Sequence, residues 1–69
     1  MLFENALKAL RQGHKVTHEE WKPGTHIEIR ADGVQPELYM FYPDGFKAIW
    51  FPSARSLLSD KWAIYDVKV

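Results

Sequence analysis

Glu37-Leu38-Tyr39-Met40-Phe41-Tyr42-Pro43-Asp44-Gly45-Phe46-Lys47-Ala48-Ile49-Trp50-Phe51 decides the fold class. Two runs rich in aromatic and aliphatic residues flank a Pro-Asp-Gly turn. Proline presets the first dihedral of such a turn, and glycine permits a positive one. The stretch predicts a β-hairpin. Its first arm is apolar on both faces, with Leu38, Met40 and Tyr42 on one and Tyr39 and Phe41 on the other. A hairpin of this kind needs cover on both sides.

Cover for one side lies at the start of the chain. Phe3, Ala6, Leu7 and Leu10 recur at helical spacing and share one face. Glu4 and Lys8 form an i,i+4 pair in the favourable order, and Lys8 and Arg11 suit the negative end of the helix dipole. Gly13 supplies the residue that ends many helices. The spacing predicts a helix from about Phe3 to Gln12. A short extended segment, His14 to Thr17, and a turn, His18 to Trp21, follow. Pro23 biases Lys22 away from helix. Thr25-His26-Ile27-Glu28-Ile29-Arg30 alternates as a half-buried strand does, with Ile27 and Ile29 on one face. Asp32-Gly33 marks a turn, and Val34 to Pro36 reads as irregular because Pro36 is a poor ladder member.

Beyond the hairpin, Pro52 stops the strand and Ser53 stands where its hydroxyl can cap a short helical turn. Leu57 and Leu58 are expected to pin that turn to the core. Trp62 to Val69 closes the chain as a last strand. The expected architecture is α+β: an N-terminal helix packed on a small antiparallel sheet, with a short helix before the last strand. Residues 1–69 read as one domain.

A chain of 69 residues buries a modest core, worth no more than about 3–5 kcal/mol. With no cysteine, neither disulfides nor a thiolate-held zinc can supplement it. Three Trp, three Tyr and four Phe are more ring surface than a thin core hides, so surplus rings are expected in an interface or a pocket. A homodimer or homotetramer is the expected assembly, a second subunit covering the hairpin's other face. Nine basic residues balance nine acidic ones, which disfavours nucleic acid as a partner. No apolar run approaches a membrane span, and Met1-Leu2-Phe3-Glu4-Asn5 lacks the features of a signal peptide. A cytoplasmic protein is expected.

His14 and His18 lie four apart, but within an extended segment, so they read as solvated surface histidines and no metal site is expected. Neither paired carboxylates on a scaffold, a glycine-rich phosphate loop nor a nucleophile elbow is present. Catalysis and a cofactor are therefore not expected. The remaining signal is aromatic and polar. Trp21 and Trp50, beside Ser53, Arg55 and Asp60, can stack a planar base and bind a ribose or phosphate.

Phe3-Glu4-Asn5-Ala6-Leu7-Lys8-Ala9-Leu10-Arg11-Gln12-Gly13, followed by Lys15-Val16 and Trp21, resembles the opening of the second Thoeris anti-defence family of phage and prophage proteins. Trp50-Phe51-Pro52-Ser53, Leu57-Leu58 and Trp62 are similar to its ending. The resemblance implies a non-enzymatic function, in small oligomers, typically tetramers. Such oligomers sequester a cyclic ADP-ribose-type immune-signalling nucleotide, without cleaving it, in pockets between subunits. It carries Trp21, Trp50 and Ser53 over as binding residues; Arg55 and Asp60 rest on their chemistry alone. The chain departs from the family pattern at Ser56 and Lys61, where acidic residues are frequent, and at Lys22-Pro23-Gly24. A structural or protein-interaction oligomer with no small ligand is the alternative reading.

Overall fold

The computed structural model describes residues 1–31, 33 and 35–65. The readings placed on Asp32, Val34 and 66–69 lie outside the described residues. The element order is α1 (Phe3–Arg11), β1 (Lys15–His18), β2 (His26–Arg30), β3 (Glu37–Phe41), β4 (Lys47–Ile49), α2 (Ala54–Leu58) and β5 (Trp62–Tyr65). The five strands form one antiparallel sheet in the order β4-β3-β2-β1-β5. The first four make a meander; the segment containing α2 then returns the chain so that β5 pairs with β1. This is the expected α+β arrangement.

Helix α1 ends as its glycine predicts. Gly13 donates to the Leu10 carbonyl and His14 to that of Ala9, with Gly13 at a φ of 94°. These are the paired bonds of a Schellman motif, and they turn the chain directly into β1. The hairpin turn is equally well determined. Gly45 donates to the Tyr42 carbonyl and Tyr42 to that of Phe46, while the Asp44 carboxylate accepts from the Phe46 amide. Gly45, at a φ of 91°, takes the bulge position that follows a type I turn in three-residue hairpins.

Register separates the two sheet faces. Val16 pairs with Ile27 and Ile64, Ile27 with Met40, and His18 with Trp62, so these residues share one face. Ala6, Ala9 and Leu10 of α1 close over it and complete the core of Val16, Ile27, Met40 and Trp62. The opposite face carries His26 opposite Phe41, Glu28 opposite Tyr39, and Tyr39 opposite Ile49. Its rings stand in a row, with His26 stacked on Phe41 at 5.3 Å and on Tyr65 at 4.4 Å. Arg30 lies over Phe41 at 5.5 Å and is paired with Glu28 at 2.7 Å. Among the described residues neither helix covers this face.

Two expectations need correction. Leu57 and Leu58 do not pin α2: they are 45% and 84% exposed. The helix is held instead by Trp62, buried to 2%, whose indole Nε1–H donates to the Ser56 carbonyl at 3.0 Å. A five-residue helix has too few turns for a full apolar stripe, so one strong polar bond to a buried ring does that work. Nor is His18 a solvated surface residue. It belongs to β1, on the same face as Val16, and is only 7% exposed. His14, between α1 and β1, is exposed as expected.

Urea denaturation checks this assignment of the anchor. Trp62→Ala should cost about 3–5 kcal/mol and Trp62→Phe, which removes the donor, about 1–3 kcal/mol. Leu58→Ser should stay within about 0.5 kcal/mol of the parent.

Candidate functional site

A cleft of about 630 Å³ opens between the turn after β1 and the segment carrying α2. His18, Glu20, Trp21, Arg55, Ser56, Leu58, Ser59 and Lys61 line it. Its volume falls in the range of small-molecule sites. The local sequence explains each wall. Trp21 donates its backbone N–H to the His18 carbonyl, so the chain turns at once after β1 and sets the indole beside the core. Ser53 caps α2, its Oγ accepting from the Ser56 amide at 3.2 Å, which fixes where Arg55 and Ser56 leave the helix.

The back of the cleft is a cluster of rings around Trp62. Phe3 lies at 5.1 Å, His18 at 5.0 Å, Trp21 at 5.3 Å and Trp50 at 5.9 Å, all close to edge-to-face. This is the arrangement that ring quadrupoles favour. His18 is fixed at both nitrogens: Glu20 donates its backbone N–H to Nδ1 at 3.1 Å, and Nε2 lies 2.7 Å from Ser59 Oγ. At the rim, Glu20 stands between two cations. Its Oε2 is 3.9 Å from Arg55 Nη2 and its Oε1 is 3.9 Å from Lys61 Nζ. Pairs this long and this exposed contribute little and are readily exchanged for a better anion.

Of the five residues proposed from sequence, Trp21 and Arg55 line the cleft. Trp50 does not; it packs on the core cluster beside Phe3 and Trp21. Its backbone N–H donates to the Leu38 carbonyl, which carries the hairpin pairing one residue past β4. Ser53 stands one side chain away, 3.2 Å from Ser56 Oγ. Asp60 contributes a backbone carbonyl that accepts from the Met1 nitrogen at 2.9 Å, and its side chain is not part of the cleft lining.

The binding residues proposed from sequence left out His18, Glu20, Ser56, Leu58, Ser59 and Lys61. His18 carried a readable signal, since its two-residue spacing from Val16 puts both on the buried face of a strand. Ser59 carried none, because its position depends on where α2 returns the chain, and Lys61 stood out only as a departure from the family pattern.

Residues 1–65 match the family described as the Thoeris anti-defense 2-like (Tad2-like) domain. The chain belongs to the Thoeris anti-defense 2-like family. Membership supports a phage anti-defence role. A comparison with curated proteins finds no match. Of the three departures noted from the family resemblance, Ser56 and Lys61 line the cleft and Lys22-Pro23-Gly24 does not. Among the described residues no three His, Asp or Glu side chains are grouped to hold a metal ion, and no helix is long and apolar enough to cross a membrane.

The rim and the back of the cleft should separate in stability measurements. Arg55→Ala and Lys61→Ala are each expected within about 0.5 kcal/mol of the parent in chemical denaturation. His18→Ala, which vacates a buried, doubly bonded ring, should cost about 2–4 kcal/mol.

Proposed function

We propose that this Tad2-like chain is an anti-defence sponge that binds a cyclic ADP-ribose-type signalling nucleotide and holds it without cleaving it. The observation that carries the reading is the pairing of Trp21 with Arg55 across one cleft. An indole offers a stacking surface for a planar base, and a guanidinium is a strong partner for phosphate. Lys61, Ser56 and Ser59 add further polar groups on the same walls. Glu20 shares its one negative charge between both cations in the free chain, leaves a net positive charge, and yields them to a phosphate at small cost. Binding without cleavage is favoured by the makeup of the cleft, where the ring of His18 is bonded at both nitrogens.

We further propose that the chain works as a homodimer or homotetramer. The uncovered sheet face with Tyr39, Phe41 and Ile49 favours this assembly, as do the exposures of Phe51 (81%) and Leu58 (84%). The same surfaces favour the second reading, an oligomeric interaction module with no small ligand, in which Trp50 and Trp62 serve packing alone.

Calorimetry against cyclic ADP-ribose and related cyclic nucleotides separates the two. The sponge predicts saturable heat, a raised melting temperature and intact ligand recovered by chromatography. Trp21→Ala and Arg55→Ala should each weaken binding about 10-fold or more. No heat and no melting shift across the panel overturns the sponge and leaves the module. Sedimentation of the parent should show more than one subunit; a monomer at all concentrations contradicts the proposed assembly.

A further inference from the structure

The hydrogen bonds around His18 fix more than its position. A backbone amide can only donate, so the Glu20 N–H bond to Nδ1 at 3.1 Å requires Nδ1 to carry no proton. The neutral ring then holds its hydrogen on Nε2. The 2.7 Å contact with Ser59 therefore runs from Nε2–H to Oγ. Ser59 Oγ also accepts from the Lys61 backbone N–H at 3.1 Å. Both lone pairs of the hydroxyl are thus occupied by donors, and its own hydrogen is the one bonding position left. Ser59 is half-buried on the cleft wall with Arg55 and Lys61. Among the described residues no acceptor takes that hydrogen.

The geometry points to Ser59 as a donor-only contact for a phosphate oxygen, with His18 as the positioning residue that forces this polarity. A serine hydroxyl ordinarily accepts as readily as it donates. This one has no accepting capacity to spare, so it selects a ligand atom with lone pairs and no hydrogen. With Arg55 and Lys61 on the same wall, an anionic oxygen meets that requirement best. A ribose hydroxyl can meet it only by turning its own hydrogen elsewhere. The inference rests on the nucleotide reading of the cleft and orients the ligand within it. The phosphates lie at the Ser59 end, and the base lies against Trp21.

Two measurements test it. In the free protein, long-range proton–nitrogen NMR correlations of the His18 ring should show Nε2 protonated and Nδ1 bare; a ring protonated on Nδ1 overturns the proposal with or without a ligand. In calorimetric titrations with cyclic ADP-ribose and, separately, inorganic pyrophosphate, Ser59→Thr should bind within about twofold of the parent. Ser59→Ala should bind about 10- to 100-fold more weakly, the loss of a hydrogen bond to a charged group. Should Ser59→Ala melt too low to titrate, Ser59→Cys keeps the size with a much weaker donor and should show an intermediate loss. A folded Ser59→Ala or Ser59→Cys that binds as tightly as the parent overturns the role of Ser59 while leaving the nucleotide site standing. A parent that binds neither probe overturns the nucleotide reading and the phosphate assignment with it.

Discussion

The structure depends on the burial of Trp62 and on the bond its indole N–H makes to the Ser56 carbonyl. The ring fills the core between α1 and the sheet, and its polar edge reaches out of that core to the one short helix that cannot anchor itself. Four rings from separate parts of the chain meet it edge-on. The backbone of the same residue is tied as well: its carbonyl accepts from the Met1 nitrogen at 2.7 Å, and its N–H donates to the Met1 carbonyl. One residue therefore joins the start of the chain, the last strand, α2 and the turn after β1. In so small a protein, where hydrophobic burial is limited, such concentration of contacts is what sets a defined cleft wall.

The cleft follows from that anchor. Its back is aromatic and its front is polar and exposed, so in the proposed function packing and recognition fall largely to different residues. His18 belongs to both sets. It packs on Trp62 at 5.0 Å and bonds Ser59 through Nε2, linking the packed interior to the proposed binding surface. Arg55, Lys61 and Glu20 are exposed and paired only at 3.9 Å, so the fold is expected to tolerate changes at all three.

Much of the fold was legible in local patterns. The period of α1, the Gly13 stop, the Ile27 and Ile29 alternation, the Pro43-Asp44-Gly45 turn and the Ser53 cap each rest on near neighbours, and each is present. The misreadings concern residues whose surroundings are set at long range. Leu57 and Leu58 look like anchors because they are apolar, yet the anchor is a tryptophan hydrogen bond from the next strand. His18 looks like solvent-facing turn residue because of the polar run after it, although its spacing from Val16 places it inside. Of the five binding residues proposed from sequence, Trp21 and Arg55 are the two that line the cleft. Ser59 and Lys61 could be placed on the cleft wall only once β5 was known to pair with β1 and to carry the α2 segment to the cleft.

The most direct test is a structure of the chain in complex with cyclic ADP-ribose. The account predicts the base against Trp21 and a phosphate oxygen within hydrogen-bonding distance of both Ser59 Oγ and the Arg55 guanidinium, with Glu20 released from its cations. A ligand seated on Trp50 or on the open sheet face, with the cleft empty and the Glu20 pairs intact, would contradict it.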